Sequence, residues 1–235
     1  MAGNSTGSAR YASLPNDRLL AEFSLWSADL ANLAADVARA EGHADLHHID
    51  VADGHFAPAL LFFPDLVARL RKLTATPFHV HLMVQDEILQ AQADQFAEAG
   101  ADLISVHAEN GQAGLDVIAA LKAKGLRAGV VLRVETDLAE LAPFLAQVDM
   151  VTLLGTRIGV KGQDLDPQAC ARLQKAGGML RAAGRHGQVL LAADGGIREH
   201  TVPKLRAAGA DTVVMGSLAF GAPDLAARMA WSRGL

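Results

Sequence analysis

The sequence predicts a single parallel (β/α)8 barrel of the TIM type, and three observations carry that prediction. Short runs rich in Val, Ile and Leu alternate eight times with longer Ala/Leu-rich segments of helical period. The alternation runs through 235 residues without a linker, a length that suits eight βα units closed on themselves. The first strand is followed by "SADLANL". A doubly wound open sheet, the competing architecture, usually carries a GxGxxG turn at that point.

In chain order, 1–20 read as an N-terminal extension with a short helix at 17–20, and 21–235 as the barrel. Strands are expected at 22–26, 46–51, 78–84, 103–107, 128–134, 150–154, 189–193 and 212–215, each apolar and short enough for one sheet crossing. Helices are expected at 30–40, 64–72, 87–99, 114–124, 138–145, 167–183, 200–208 and 224–232. Gly100, Gly125 and Gly209 each follow a helix, where a left-handed residue closes the last turn. Asp86 stands before its apolar run as an N-cap does. "AGAD" at 99–102 and again at 208–211, with "KGLR" at 124–127, marks turns from helix to strand. The phrase recurs because the βα unit recurs.

Composition narrows the function classes. Hydrophobic residues are 51% of the chain, enough for one sizeable core, and 21 Lys+Arg against 26 Asp+Glu leave a net charge of -5. A mildly acidic chain without a basic stripe argues against a nucleic-acid partner. No apolar run reaches the roughly 18–20 residues that cross a membrane. Residues 1–16 are Gly/Ser/Ala-rich and lack the apolar stretch of a secretory signal, so a cytoplasmic location is expected. Cys170 is the single cysteine, which excludes an intramolecular disulfide and a cysteine-built zinc site; it reads as helix packing.

Strand parity selects the candidate site. In "HHIDVADGHF" (47–56), His48 and Asp50 share one face while apolar Ile49 and Val51 share the other, which packs under helices. In "PFHVHLMVQD" (77–86), Phe78, Val80 and Leu82 face the helices, and His79, His81 and Met83 point inward. "QVLLAADGG" (188–196) ends in Asp194. An inward histidine taken alone is more often a satisfied core residue. Here His48, Asp50, His81 and Asp194 converge on the C-terminal mouth, where barrel enzymes place their sites. Two imidazoles and two carboxylates suit a divalent ion such as zinc, iron or manganese. Gly195 and Gly196 after the seventh strand, and Gly216 and Ser217 after the eighth, lie where barrels hold a phosphate. The loop "GTRIGVKGQDL" (155–165) adds Gly159, Gly162, Arg157 and Lys161. His107 reads as a hydrogen-bond partner behind the site, and His43, His186 and His200 as exposed turn residues.

These segments closely resemble the ribulose-phosphate 3-epimerase family from Ser24 to about Trp231. "SLWSADLANL", "HHIDVADGHFAP", "HVHLMV" and "AADGGI" occur in that family's order, and the combination is specific where "DGGI" alone is weak. The resemblance implies metal ligands at His48, Asp50, His81 and Asp194, with one divalent ion, zinc foremost. It implies a hydroxyl contact at Ser24, phosphate contacts at Gly195, Gly196, Gly216 and Ser217, and further substrate contacts at Met83, Gly159 and Gly162. It implies a 3-epimerase acting on a small phosphorylated sugar, with Asp50 and Asp194 as paired acid and base, and a homo-oligomer.

The departures are equally specific. The family's "VMDG" is Val51-Ala52-Asp53-Gly54 here, Leu154 replaces a methionine, and "NPGFGGQ" becomes the segment from Arg157 to Gln163. Ala59 stands for an Asn, Val134-Glu135-Thr136 for "PGT", and His79 for an Asp. The ligands are kept while the surfaces toward the sugar change. Two readings stay open: a different ketose phosphate, or neutral replacement at tolerable volume. Two other functions compete. A metal-free decarboxylase or aldolase would need an inward lysine at a strand end, and no predicted strand has one. A non-catalytic metal-binding relative has no need of two opposed proton carriers.

Overall fold

The computed structural model describes residues 5–235; the first four residues of the expected extension lie outside the described residues. The strands are β1 (Leu20–Ser24), β2 (Leu46–Asp53), β3 (Leu60–Leu61), β4 (Phe78–Met83), β5 (Leu103–His107), β6 (Arg127–Leu132), β7 (Met150–Leu154), β8 (Leu190–Asp194) and β9 (Thr212–Met215). All but β3 are parallel neighbours in one closed barrel, with β1 pairing both β9 and β2. The short β3 folds back antiparallel on the end of β2, Ala52 opposite Leu61. The helices are α1 (Ser5–Ala12), α2 (Leu33–Ala40), α3 (Pro64–Leu70), α4 (Asp86–Glu98), α5 (Gly111–Ala123), α6 (Ala169–Ala182), α7 (Val202–Ala207), α8 (Ser217–Phe220) and α9 (Leu225–Arg233). The predicted (β/α)8 barrel is the observed fold.

The outward strand residues build the main core. Ile49, Val51, Val80 and Leu82 pack with helical Val37, Val67, Leu89 and Phe96, all buried. Each such side chain contributes roughly 1.5–3 kcal/mol by leaving water, so the parity read from the sequence is enforced by burial.

The lower rim carries one clamp four times. The Ala21 N–H donates to Asp45 Oδ2 at 2.9 Å, and the Asp45 N–H returns to the Ala21 carbonyl at 2.9 Å. Phe78 with Asp102, Ala128 with Asp149 and Leu191 with Asp211 repeat the two-bond ring. Three of these aspartates also hold cations: Arg18 on Asp45, Arg10 and Arg71 on Asp102, Lys122 and Arg127 on Asp149.

Inside the barrel, the bottom is apolar and the middle is polar. Leu46, Leu103, Met150 and Ala192 form a plug closed from below by Tyr11 of α1, whose hydroxyl donates to the Asp149 carbonyl at 3.3 Å. Above the plug lie Glu22, His48, His79, Ser105, Thr152 and Thr212, all fully buried.

Three local expectations are corrected. No helix forms at 17–20: Leu20 already begins β1, its N–H donating to the Asp211 carbonyl at 2.9 Å, and the arm's helix lies at Ser5–Ala12. The segment 138–145 keeps only a 3-10 turn at Leu138–Leu141, because Pro143 has no N–H to continue a helical ladder. Asp86 is the first helical residue and not the cap; its Oδ1 accepts from Asn110 Nδ2 at 2.7 Å. Gly100 and Gly209 do adopt positive φ, 99° and 101°. Cys170 packs against the core as expected.

Candidate active site

Register brings the predicted ligands level. Asp50 on β2 lies opposite His81 on β4, and Leu154 on β7 opposite Asp194 on β8. His48 Nε2 is 3.3 Å from Asp50 Oδ1 and 3.8 Å from Asp194 Oδ2; His81 Nδ1 is 3.6 Å and 3.8 Å from the same two oxygens. A tetrahedral ion with bonds of ~2.0–2.1 Å sets its ligands roughly 3.3–3.4 Å apart. Both nitrogens, His48 Nε2 and His81 Nδ1, are buried without a hydrogen-bond partner. Leaving such an atom unpaired costs about 1–3 kcal/mol, which a bound cation offsets. The donor set and its spacing fit a divalent metal ion.

Each of the two imidazoles is backed by a glutamate. Glu22 Oε2 is 3.1 Å from His48 Nδ1 and 2.6 Å from His79 Nδ1, and Thr212 donates to Oε1 at 3.1 Å. On the other side, His81 Nε2 meets His107 Nε2 at 2.8 Å, and His107 Nδ1 meets Glu109 Oε2 at 2.9 Å. The Arg133 N–H and the Thr136 hydroxyl fix Glu109 Oε1. His107 thus takes the supporting place expected of it.

Burial and charge set the protonation of these groups. Burial alone would raise the Glu22 carboxyl, but His79 and His48 hold it well below the usual carboxylate range. Burial likewise opposes ionisation of Glu109, yet the His107 hydrogen bond and charge bring it down to about 2. Burial lowers His107 to about 4. His48 is held well above the ordinary histidine range, the charge of Asp50, the Glu22 hydrogen bond and the charge of Asp194 outweighing its burial. The two carboxylates diverge. Asp50 stays low because His48 and His81 overcome its desolvation, whereas burial and the charge of Asp50 raise Asp194.

A cleft of about 410 Å³ opens above the four residues His48, Asp50, His81 and Asp194. Ser24, Asp50, His81, Met83 and Asp194 line its floor, and Ser24 donates to Asp50 Oδ2 at 2.8 Å. Gly195, Gly196, Gly216 and Ser217 line one wall; Gly159 and Gly162 belong to the loop above. His48 lies behind the floor, fully buried. Gly196 is required twice over. Its φ is 69°, and a Cβ there would lie 2.6 Å from the Leu165 backbone. Leu154, Arg157 and Lys161 also line the cleft. The Lys161 ammonium sits 4.6 Å over the Trp26 ring and donates to the Trp26 carbonyl at 2.6 Å. It closes a loop and does not end a strand. Ala52 packs beside Ala57 and Met83 in a small apolar cluster.

The chain matches the ribulose-phosphate 3 epimerase family over residues 20–220. It is 39% identical over 209 residues to ribulose-phosphate 3-epimerase 1 of Cupriavidus necator, covering 86% of this chain and 84% of that one. The chain belongs to the ribulose-phosphate 3-epimerase family. The Bacillus subtilis ribulose-phosphate 3-epimerase is 35% identical over 202 residues, covering 86% of this chain and 92% of its own. A crystal structure of 3-hexulose-6-phosphate synthase superimposes with a TM-score of 0.65 at 19% identity over 92% of this chain and 99% of its own, a likeness of fold. Within the epimerase family frame, Glu22 and Glu109 are the residues that sequence reasoning passed over. Glu22 shares a strand face with Ser24, so parity applied to the first strand would have found it. Glu109 reaches back from a turn two residues beyond His107, and no periodicity reports such a contact. Among the described residues, no helix is long and apolar enough to cross a membrane.

Proposed function

We infer that the chain is a metal-dependent sugar-phosphate epimerase, an isomerase inverting C3 of a ketose phosphate such as ribulose 5-phosphate or xylulose 5-phosphate. One observation carries the reading: two carboxylates of opposite electrostatic tuning on one cleft floor, Asp50 and Asp194, face two unpartnered imidazole nitrogens, His81 Nδ1 on that floor and His48 Nε2 behind it. His48, Asp50, His81 and Asp194 would hold the ion, which would supply Lewis-acid stabilisation of the negative charge that develops as the C3 proton leaves. Zinc suits the donor set best; iron and manganese also accept it.

The remaining work falls to the chain. Asp50, kept ionised, takes the C3 proton in one direction, and Asp194, kept ready to carry a proton, returns one to the opposite face; the roles exchange in reverse. The Ser24 hydroxyl orients Asp50. Glycines 195, 196 and 216 with Ser217 leave room for phosphate oxygens against the backbone. With a net charge of -5 on the whole chain, attraction for the phosphate is local. A different ketose phosphate is the second reading, supported by Leu154, Arg157 and Lys161 on the cleft wall. A cytoplasmic homo-oligomer completes the reading and rests on the family resemblance.

The test is a panel of ketose phosphates incubated in deuterated water. Solvent deuterium at C3 of one member identifies both reaction and substrate. Asp50→Asn and Asp194→Asn each reduce that exchange by about 10²–10⁴-fold, the usual worth of a general acid or base. Exchange absent from every member with metal-loaded protein overturns the reading.

A further inference from the structure

We propose that Glu22 is the positioning residue of the metal centre, holding His48 through its Nδ1–H so that Nε2 is the nitrogen turned toward Asp50 and Asp194 and left to ligate. The inference rests on the metal-dependent epimerase reading and adds what fixes that ligand. An ionised carboxylate only accepts hydrogen bonds. Glu22 Oε2 stands 3.1 Å from His48 Nδ1 and 2.6 Å from His79 Nδ1, so both Nδ1 atoms carry the hydrogen. With Nδ1 donating, His79 Nε2 is an acceptor, and the Ser105 hydroxyl meets it at 2.7 Å. Thr212 occupies the other Glu22 oxygen. Every polar atom of the Glu22 and His79 side chains is then satisfied, and the one atom left over among these three residues is His48 Nε2. That atom faces the two aspartates.

The neighbouring residues are shaped for this arrangement. A Cβ at position 129 would lie 2.1 Å from Ser105 Oγ, so Gly129 makes the room in which Ser105 can reach His79. Glu22, His48 and His79 are not themselves a second ion site. The 2.6 Å between Glu22 Oε2 and His79 Nδ1 is a hydrogen bond, shorter than the roughly 3.3 Å between two ligands of one tetrahedral ion. A carboxylate behind a ligating histidine fixes ring orientation and raises ligand basicity, and its loss typically costs 10–100-fold in metal affinity or activity.

Two measurements test the assignment. Long-range proton–nitrogen NMR of the zinc-loaded wild-type protein should show His48 protonated at Nδ1 and coordinated through Nε2; coordination through Nδ1 overturns the proposal. Competition titration with zinc should show one ion per chain, bound 10–100-fold more weakly by Glu22→Gln at unchanged stoichiometry. Ser105→Ala, which leaves Glu22 in place, should stay within about threefold of wild type. Binding by Glu22→Gln within about twofold of wild type, or a second ion per chain, refutes the proposal. Wild-type protein that binds no zinc overturns the metal centre and this inference together. Zinc binding as described without C3 exchange on any ketose phosphate overturns the proposed reaction and leaves the Glu22 assignment standing.

Discussion

His47 makes an acid-sensitivity prediction that can be worked from the structure. It is fully buried on the outward face of β2, packed edge-on against Phe78, and neither ring nitrogen has a hydrogen-bond partner. Burial, reinforced by the charge of Arg71, lowers it to about 4. In the unfolded chain its value is about 6.5, so the unfolded state takes up the proton first as the pH falls. The stability tied to neutral His47 is therefore complete above about pH 6.5 and lost as the pH drops through about 4. At about 1.36 kcal/mol per pKa unit, the difference of roughly 2.5 units is worth at most ~3.4 kcal/mol, of which ~1.2 kcal/mol disappears between pH 7 and about 5.5. His47→Leu removes that term and also two unsatisfied buried atoms, so the variant should be more stable at pH 7 by about 1 kcal/mol. Urea denaturation followed in parallel by circular dichroism and tryptophan fluorescence measures both quantities. His107 is lowered to about 4 by burial as well and titrates in both proteins, so the readout is the difference between the two curves. That gap should widen by ~1.2 kcal/mol from pH 7 to about 5.5. Curves that run parallel, or a variant less stable at every pH, would refute the reasoning.

Three further outcomes are expected. Tyr11→Ala removes the ring that closes the plug of Leu46, Leu103, Met150 and Ala192 from below and should cost about 3 kcal/mol in urea denaturation with kcat unchanged, since Tyr11 lies at the end of the barrel opposite the cleft; a loss below ~0.5 kcal/mol contradicts the packing. Gly196→Ala must push the Leu165 backbone aside and should raise KM for the phosphorylated substrate about 10-fold or more, roughly 1.4 kcal/mol of lost binding, an outcome an unchanged KM would exclude. Because Asp50 and Glu22 hold His48 above the ordinary histidine range and a ligating imidazole must be neutral, zinc uptake near pH 7 should expel about one proton from His48. Apparent affinity should then fall about tenfold for each pH unit downward over the range where His48 stays protonated. Calorimetry in buffers of differing ionisation enthalpy counts the proton, and pH-independent affinity between pH 6 and 8 rules the linkage out.

Much of the fold and half of the site were legible in the sequence, for physical reasons. Strand parity is strict because one face packs under helices, so His48, Asp50 and His81 could be aimed inward from their apolar neighbours alone. Asp194 was found by its place at a strand end before two glycines. The supporting glutamates were not found this way. Parity with Ser24 aims Glu22 inward, but its match to His48 and His79 depends on strands that meet only after the barrel closes. Glu109 acts through a turn whose geometry no spacing encodes. The helix expected at 138–145 failed on Pro143, a local signal outweighed in the reading by Leu and Ala content. The helix expected at 17–20 failed because Leu19 and Leu20 belong to the core that β1 enters.

The four aspartate clamps make the barrel a tandem of quarter modules. The clamped pairs are β1–β2, β4–β5, β6–β7 and β8–β9, and their ladders register three or four positions. The alternate seams, β2–β4, β5–β6, β7–β8 and β9–β1, carry four to six. Side-chain carboxylates reinforce the junctions where the backbone pairs least. Each module is thereby a two-strand unit with its own fastening, and the chain can be cut between modules without severing a clamp. New termini in the turn between Gly184 and Gln188, which leads into β8 and separates two modules, interrupt none of the four rings. A cut between β8 and β9 divides the Leu191–Asp211 ring between the two ends of the permuted chain. The rim that looks like an ordinary set of turns in the sequence is the joinery that decides where this barrel tolerates rearrangement.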